Sequence, residues 1–102
     1  MIDELMTTAA DNAAQKGFHK NWNTGEKLAL IHSEVSELLE EFRKDPEPST
    51  KIKGYSTREE EAADVFIRLL DFCYYEGLDL AGATDAKIAY NMTRPDMHGK
   101  KF

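Results

Sequence analysis

Apolar residues recur along this chain at intervals of three and four, the period of helices with one buried face. Residues 2–16 carry Ile2, Leu5, Met6, Ala9 and Ala13 at that spacing. Lys16-Gly17 closes the segment, with Gly17 suited to the left-handed position after a helix. A second helix is predicted from Asn23 or Thr24, where Asn23-x-x-Glu26 has capping-box spacing. Leu28, Ile31, Val35, Leu38 and Phe42 form its stripe, and Pro46 and Pro48 stop it near Lys44. Residues 45–56, DPEPSTKIKGYS, are the one long loop, read as a plain connection or a lid. A third helix opens at Ser56 or Thr57, since Ser56-x-x-Glu59 and Thr57-x-x-Glu60 both fit a capping box, and runs to about Glu76. One of its faces holds Ala62, Val65, Leu69, Phe72 and Cys73, and a second holds Ile67, Leu70 and Tyr74. A helix apolar on two faces is buried on two, so the second face is expected to meet another subunit. A fourth helix follows the cap Asp79 and stops before Pro95. No strand pattern or internal repeat stands out. The expected fold is all-α, a single domain over residues 1–102, with about four helices forming a bundle completed by oligomerisation.

Composition narrows the function classes. With 41% apolar and 31% charged residues in 102, the chain reads as a soluble globular protein. Its net charge of −6 argues against a nucleic-acid polymer as partner and allows a cation site. The N-terminus MIDELMTTAAD lacks the basic and apolar regions of a signal peptide, and no run reaches membrane-spanning length, so a cytoplasmic location and no membrane partner are expected. The single cysteine, Cys73, lies in an apolar run and reads as a small buried hydrophobe.

The acids are more informative than their number. Turning roughly 100° per residue, Glu34 lies roughly 60° and Glu37 roughly 120° to one side of Ile31 on the second helix. On the third, Glu61 and Asp64 stand roughly 40° and 100° to one side of Val65, with Asp71 beyond and Arg68 between. Each helix thus carries an acidic edge beside its core stripe. Packed as antiparallel neighbours, the two helices bring Glu34, Glu37, Glu61 and Asp64 together. Four gathered carboxylates repel one another and resist ionisation; a hard cation, Mg²⁺ or Mn²⁺, removes the penalty. The plainer reading is that these are surface acids paired with Lys and Arg. A di-iron centre is excluded by pattern: the residues three before His19, His32 and His98 are Lys16, Ala29 and Pro95, so there is no Glu-x-x-His pair. Zinc lacks clustered His and Cys.

Toward the C-terminus, Lys87, Asn91 and Arg94 share one face of the predicted fourth helix and suit phosphate oxygens, or are basic residues favoured by a helix end. His98, Lys100 and Lys101 follow. The order is Glu34-x-x-Glu37, 23 residues, Glu61-x-x-Asp64, then KIAYNMTRPDMHGKKF. From about Asn21 to the C-terminus this resembles the MazG-like all-α nucleoside triphosphate pyrophosphohydrolases. The resemblance implies a homodimer or homotetramer with Mg²⁺ (Mn²⁺ a substitute) at Glu34, Glu37, Glu61 and Asp64. It implies cleavage of a (d)NTP substrate to (d)NMP and pyrophosphate, with a role in clearing abnormal nucleotides. Lys87, Asn91 and Arg94 match the phosphate-contacting segment, with Lys100 in the tail behind it. Trp22, and less strongly His19 and Asn21, fall where relatives place residues near the base. The chemistry agrees: Glu37 or Glu34 would orient or deprotonate the attacking water. Only one module is present, so roles of two-domain relatives do not transfer. The rival readings are a non-enzymatic acidic helical interaction module and a phosphoribosyl-ATP pyrophosphohydrolase-like enzyme.

Overall fold

The computed structural model of the chain describes residues 1–95, 100 and 101. It is all-α: α1 (Ile2–Gln15), α2 (Thr24–Phe42), α3 (Thr57–Tyr75) and α4 (Leu80–Asn91). Among the described residues there is no strand, only an isolated antiparallel bridge between Pro48 and Ser56. None of these helices is long and apolar enough to cross a membrane.

The helix starts follow the capping chemistry written in the sequence. Asn23 accepts from the Glu26 amide at 2.9 Å, and Asp79 accepts from the Gly82 amide at 2.9 Å. Ser56 and Glu59 form the full reciprocal box, each side chain accepting from the other's backbone N–H. Gly17 and Gly77 follow α1 and α3 with φ of +85° and +70°, which a side chain would strain. The α2–α3 connection is tied down at several points. Ser49 Oγ accepts from the amides of Lys51 and Ile52 and donates to Glu60. Arg58 donates to the Glu41 and Lys44 carbonyls, closing the end of α2.

α3 is the central element, packed against α1 and α2, while α4 touches α1 only lightly. The buried cluster is Met6, Leu70, Phe72 and Cys73, with Ile2, Trp22, Ile31 and Leu69 against it. Leu70, expected on the second face of α3, is the deepest large side chain at 2% exposure, while Ile67 and Tyr74 beside it stay half-exposed. Of the stripe expected to be buried on α2, Ile31 and Leu38 pack inward while the rest stays out. Leu28, Val35, Leu39 and Phe42 are exposed, Leu39 by 53% and Phe42 by 59%. Lys27, Leu30, Ile31, Glu34, Leu38 and Glu41 are the more buried residues of that helix, Glu34 the most. α2 has turned its acidic edge, rather than the centre of its apolar stripe, toward α3. α4 also ends earlier than expected, at Asn91. Thr93 and Arg94 donate to the Tyr90 and Asn91 carbonyls in a turn, so Arg94 lies beyond the helix.

Candidate metal centre and adjoining cavity

The α2–α3 interface gathers three of the four expected acids. One carboxylate oxygen from each of Glu34, Glu61 and Asp64 lies within 4.8 Å of the other two. The i, i+3 spacing of Glu61 and Asp64 puts both on one side of α3, and Glu34 arrives across the interface. Glu34 is 9% exposed. Its Oε1 accepts from Arg68 Nε at 2.7 Å. With the carboxylates ionised, its Oε2, like Oε2 of Glu61, is buried without a hydrogen-bond donor among the described residues.

Glu37 lies outside this triplet, exposed beside Glu34. A hydrogen bond shared with Glu34 holds its carboxyl above the ordinary range, with charge repulsion from Glu34 next. Such a bond exists only while one of the two acids is protonated; with both ionised, Oε2 of Glu34 has no donor. Burial, then Asp64 and Glu37, raise the Glu61 carboxyl. Burial, then Glu34 and Glu60, raise Asp64, against which Lys51 and Arg68 act in the lowering direction. The local field is thus short of positive charge. Glu41, farther along the same edge, differs: a hydrogen bond from Thr57 lowers its pKa, and Lys44 pairs with it at 3.3 Å.

A cavity of about 290 Å³ opens beside the acids, near the lower bound of roughly 300–1,000 Å³ for small-molecule sites. Glu34, Asp64 and Arg68 line it together with Asn12, Phe18, Trp22, Lys27 and Asp71. Trp22 is well tied in. Its ring stacks on Tyr75 at 3.8 Å, Lys27 Nζ lies 5.0 Å from its centroid, and its N–H donates to Glu76 at 2.7 Å. With Tyr75 over one face and Lys27 close by, Trp22 forms a wall of the cavity, whereas Phe18 is half-exposed. His19 donates from Nε2 to Asp71 at 2.7 Å and meets Trp22 and Tyr75 edge-on. Asn21 is exposed, with a left-handed φ of +52° that asparagine tolerates.

The basic residues of the C-terminal segment sit elsewhere. Among the described residues, Lys87, Asn91 and Arg94 do not line the cavity. Lys87 and Arg94 converge on the ring of Tyr90, at 4.7 and 5.6 Å from its centroid. Oδ1 of Asn91 is buried without a partner, and Lys100 is exposed. His98 lies outside the described residues. Sequence reasoning did not single out Asn12, Phe18, Lys27 or Asp71 as cavity residues. The mixture of aromatic and basic residues between Gly17 and Lys27 is the one signal that could have pointed toward Phe18 and Lys27. No family model, curated protein or solved structure matches the chain.

Proposed function

We propose that this protein is a Mg²⁺-dependent nucleoside triphosphate pyrophosphohydrolase that converts a (d)NTP to the (d)NMP and pyrophosphate. The observation that carries the reading is the triplet Glu34, Glu61 and Asp64, converging within 4.8 Å with two buried oxygens that find no donor among the described residues while the acids are ionised. Orphaned carboxylate oxygens and raised carboxyl pKa values support an all-oxygen site for a hard cation. Glu34, Glu61 and Asp64 would hold the ion, with Glu37 beside them, and when bound it supplies charge neutralisation at the phosphate oxygens. Glu37 is exposed and more basic than an ordinary carboxylate, which suits it to take a proton from an attacking water. Phe18, at the cavity and half-exposed, and Trp22 in its wall offer aromatic surface to a base.

The reading includes a homo-oligomer. Leu28, His32, Val35, Leu39 and Phe42 recur at intervals of four, three, four and three, the seam of a helix that pairs with a second helix. Within one chain this seam is exposed. Among the described residues only five apolar side chains are buried, a thin core for a chain of this length. A second copy brings an identical seam to the same face. The proposed part of Lys87, Asn91 and Arg94, holding the outgoing pyrophosphate, belongs to that assembly.

The test is a panel of canonical and modified (d)NTPs, with and without Mg²⁺, reading pyrophosphate and monophosphate separately from orthophosphate. Mg²⁺-dependent pyrophosphate is expected from at least one member. Glu37→Gln is expected to slow that reaction by about 10²–10⁴-fold, the usual contribution of a proton-transferring group. Release of orthophosphate alone, or full activity of Glu37→Gln, would overturn the reading.

A further inference from the structure

Among the described residues that line the cavity, Arg68 is the cation bonded to one of the clustered acids. It stands one helical turn after Asp64 on α3, and its Nε reaches across to Glu34 Oε1 at 2.7 Å. It lines the cavity alongside both acids and is partly exposed. A guanidinium carries five N–H donors. Only Nε is spent on Glu34; the terminal nitrogens have no protein acceptor among the described residues. Glu34 is held by one oxygen and carries an orphaned one. Arginine and carboxylate favour a two-pronged grip, so a single 2.7 Å bond is an unfinished pair on both sides.

Charge counting shows what would finish it. Glu34, Glu61 and Asp64 against Arg68 leave two negative charges, and Glu37 beside them adds to that excess, which a divalent cation offsets. That same cation competes with Arg68 for Glu34. A guanidinium relieved of its carboxylate, on a side chain that lines the cavity, is well matched to phosphate oxygens.

We propose that Arg68 is a counter-ion that changes partners: it holds Glu34 in the ligand-free protein, releases that carboxylate when a divalent cation is bound, and turns its N–H groups onto the substrate's polyphosphate. The inference rests on the cation site of the proposed function and goes beyond it in assigning Arg68 two opposed effects. Arg68 restrains cation binding and promotes polyphosphate binding. A residue that merely props Glu34 in place would assist both.

The experiment measures two affinities and no turnover. Mn²⁺ is titrated into the full chain and followed by electron paramagnetic resonance. Inorganic tripolyphosphate is titrated calorimetrically at saturating Mg²⁺. In Arg68→Gln, Mn²⁺ is expected to bind several-fold more tightly than in the wild type, and tripolyphosphate at least tenfold more weakly. Unchanged or weaker Mn²⁺ binding would make Arg68 a prop for Glu34 and overturn the exchange. Unchanged tripolyphosphate affinity would overturn the phosphate half. Should Arg68→Gln not fold, Arg68→Lys keeps the charge and loses the fork; unchanged Mn²⁺ affinity with weakened tripolyphosphate is expected, and both unchanged would overturn the proposal. Wild-type protein that binds no Mn²⁺ would overturn this inference together with the cation site, whereas Mn²⁺ binding without the two opposed shifts leaves the site standing and removes only Arg68 from it.

Discussion

Glu34 is a carboxylate packed between helices, and moving such a group out of water costs several kcal/mol before any partner is counted. Arg68 offsets part of that cost through one oxygen. Its neighbours carry raised pKa values of their own: Glu37 through its hydrogen bond with Glu34, Glu61 and Asp64 first through burial. A carboxyl whose pKa is higher in the folded chain favours folding while protonated. That contribution is complete below the unfolded value of about 4 and fades as pH climbs through the raised folded values. Glu41 and Glu59, with lowered pKa values, act oppositely and lose their contribution on acidification. Replacing one clustered acid isolates the first effect. In chelator at pH 7, Asp64→Asn is expected to melt a few degrees above the wild type, with the gap closing near pH 4. Added Mg²⁺ is expected to raise the wild-type Tm and leave the variant's nearly unchanged. A variant that melts below the wild type at pH 7 would show that Asp64 is not repelled by its neighbours. Much of this cluster was legible in the sequence, because 100° per residue fixes which side of a helix an acid occupies. The Arg68–Glu34 bond was not: Arg68 could be placed on the acidic edge of α3, but its partner depends on how α2 is rotated against it.

That rotation belongs to the scale of the element, where the sequence was clear about ends and ambiguous about faces. Asn23, Ser56 and Asp79 each cap the helix they were expected to start, because capping is settled within four residues. Removing the Ser56 hydroxyl in Ser56→Ala is expected to cost about 1 kcal/mol, and so to lower Tm by about 4–8 °C. Ser56 and Glu59 hold each other, so adding Glu59→Ala is expected to cost less than its effect alone, which a double-mutant cycle in thermal unfolding checks. Strict additivity would mean the two bonds are independent. The faces of α2 are another matter. Periodicity shows that Leu28, Val35, Leu39 and Phe42 want cover, yet one chain's sequence does not say whether its own helices provide it. Here the acidic edge went inward and most of the apolar seam stayed out. The end of α4 was overrun for a local reason: the residue before Pro95 disfavours helical backbone, and two turn hydrogen bonds close the helix beforehand.

At the scale of the whole molecule, the exposed seam on α2 makes assembly a testable matter. In the proposed homo-oligomer, Leu39 is covered by the partner copy, so Leu39→Glu buries an unpaired charge there while leaving the single chain's fold nearly untouched. Light scattering after size exclusion is expected to give a multiple of the 11.6 kDa chain mass for the wild type and the single mass for the variant. A wild-type protein of single-chain mass at micromolar concentration would sink the assembly. The cavity wall has a practical consequence as well. Trp22 is the chain's one tryptophan, stacked on Tyr75 and approached by the Lys27 ammonium. Its indole emission therefore reports from a single known location, and Tyr75 at van der Waals distance is a ready donor of excitation energy. Any occupant that disturbs Lys27 or wets the indole alters the colour or brightness of that emission, so the protein carries its own optical gauge of whether the cavity is filled.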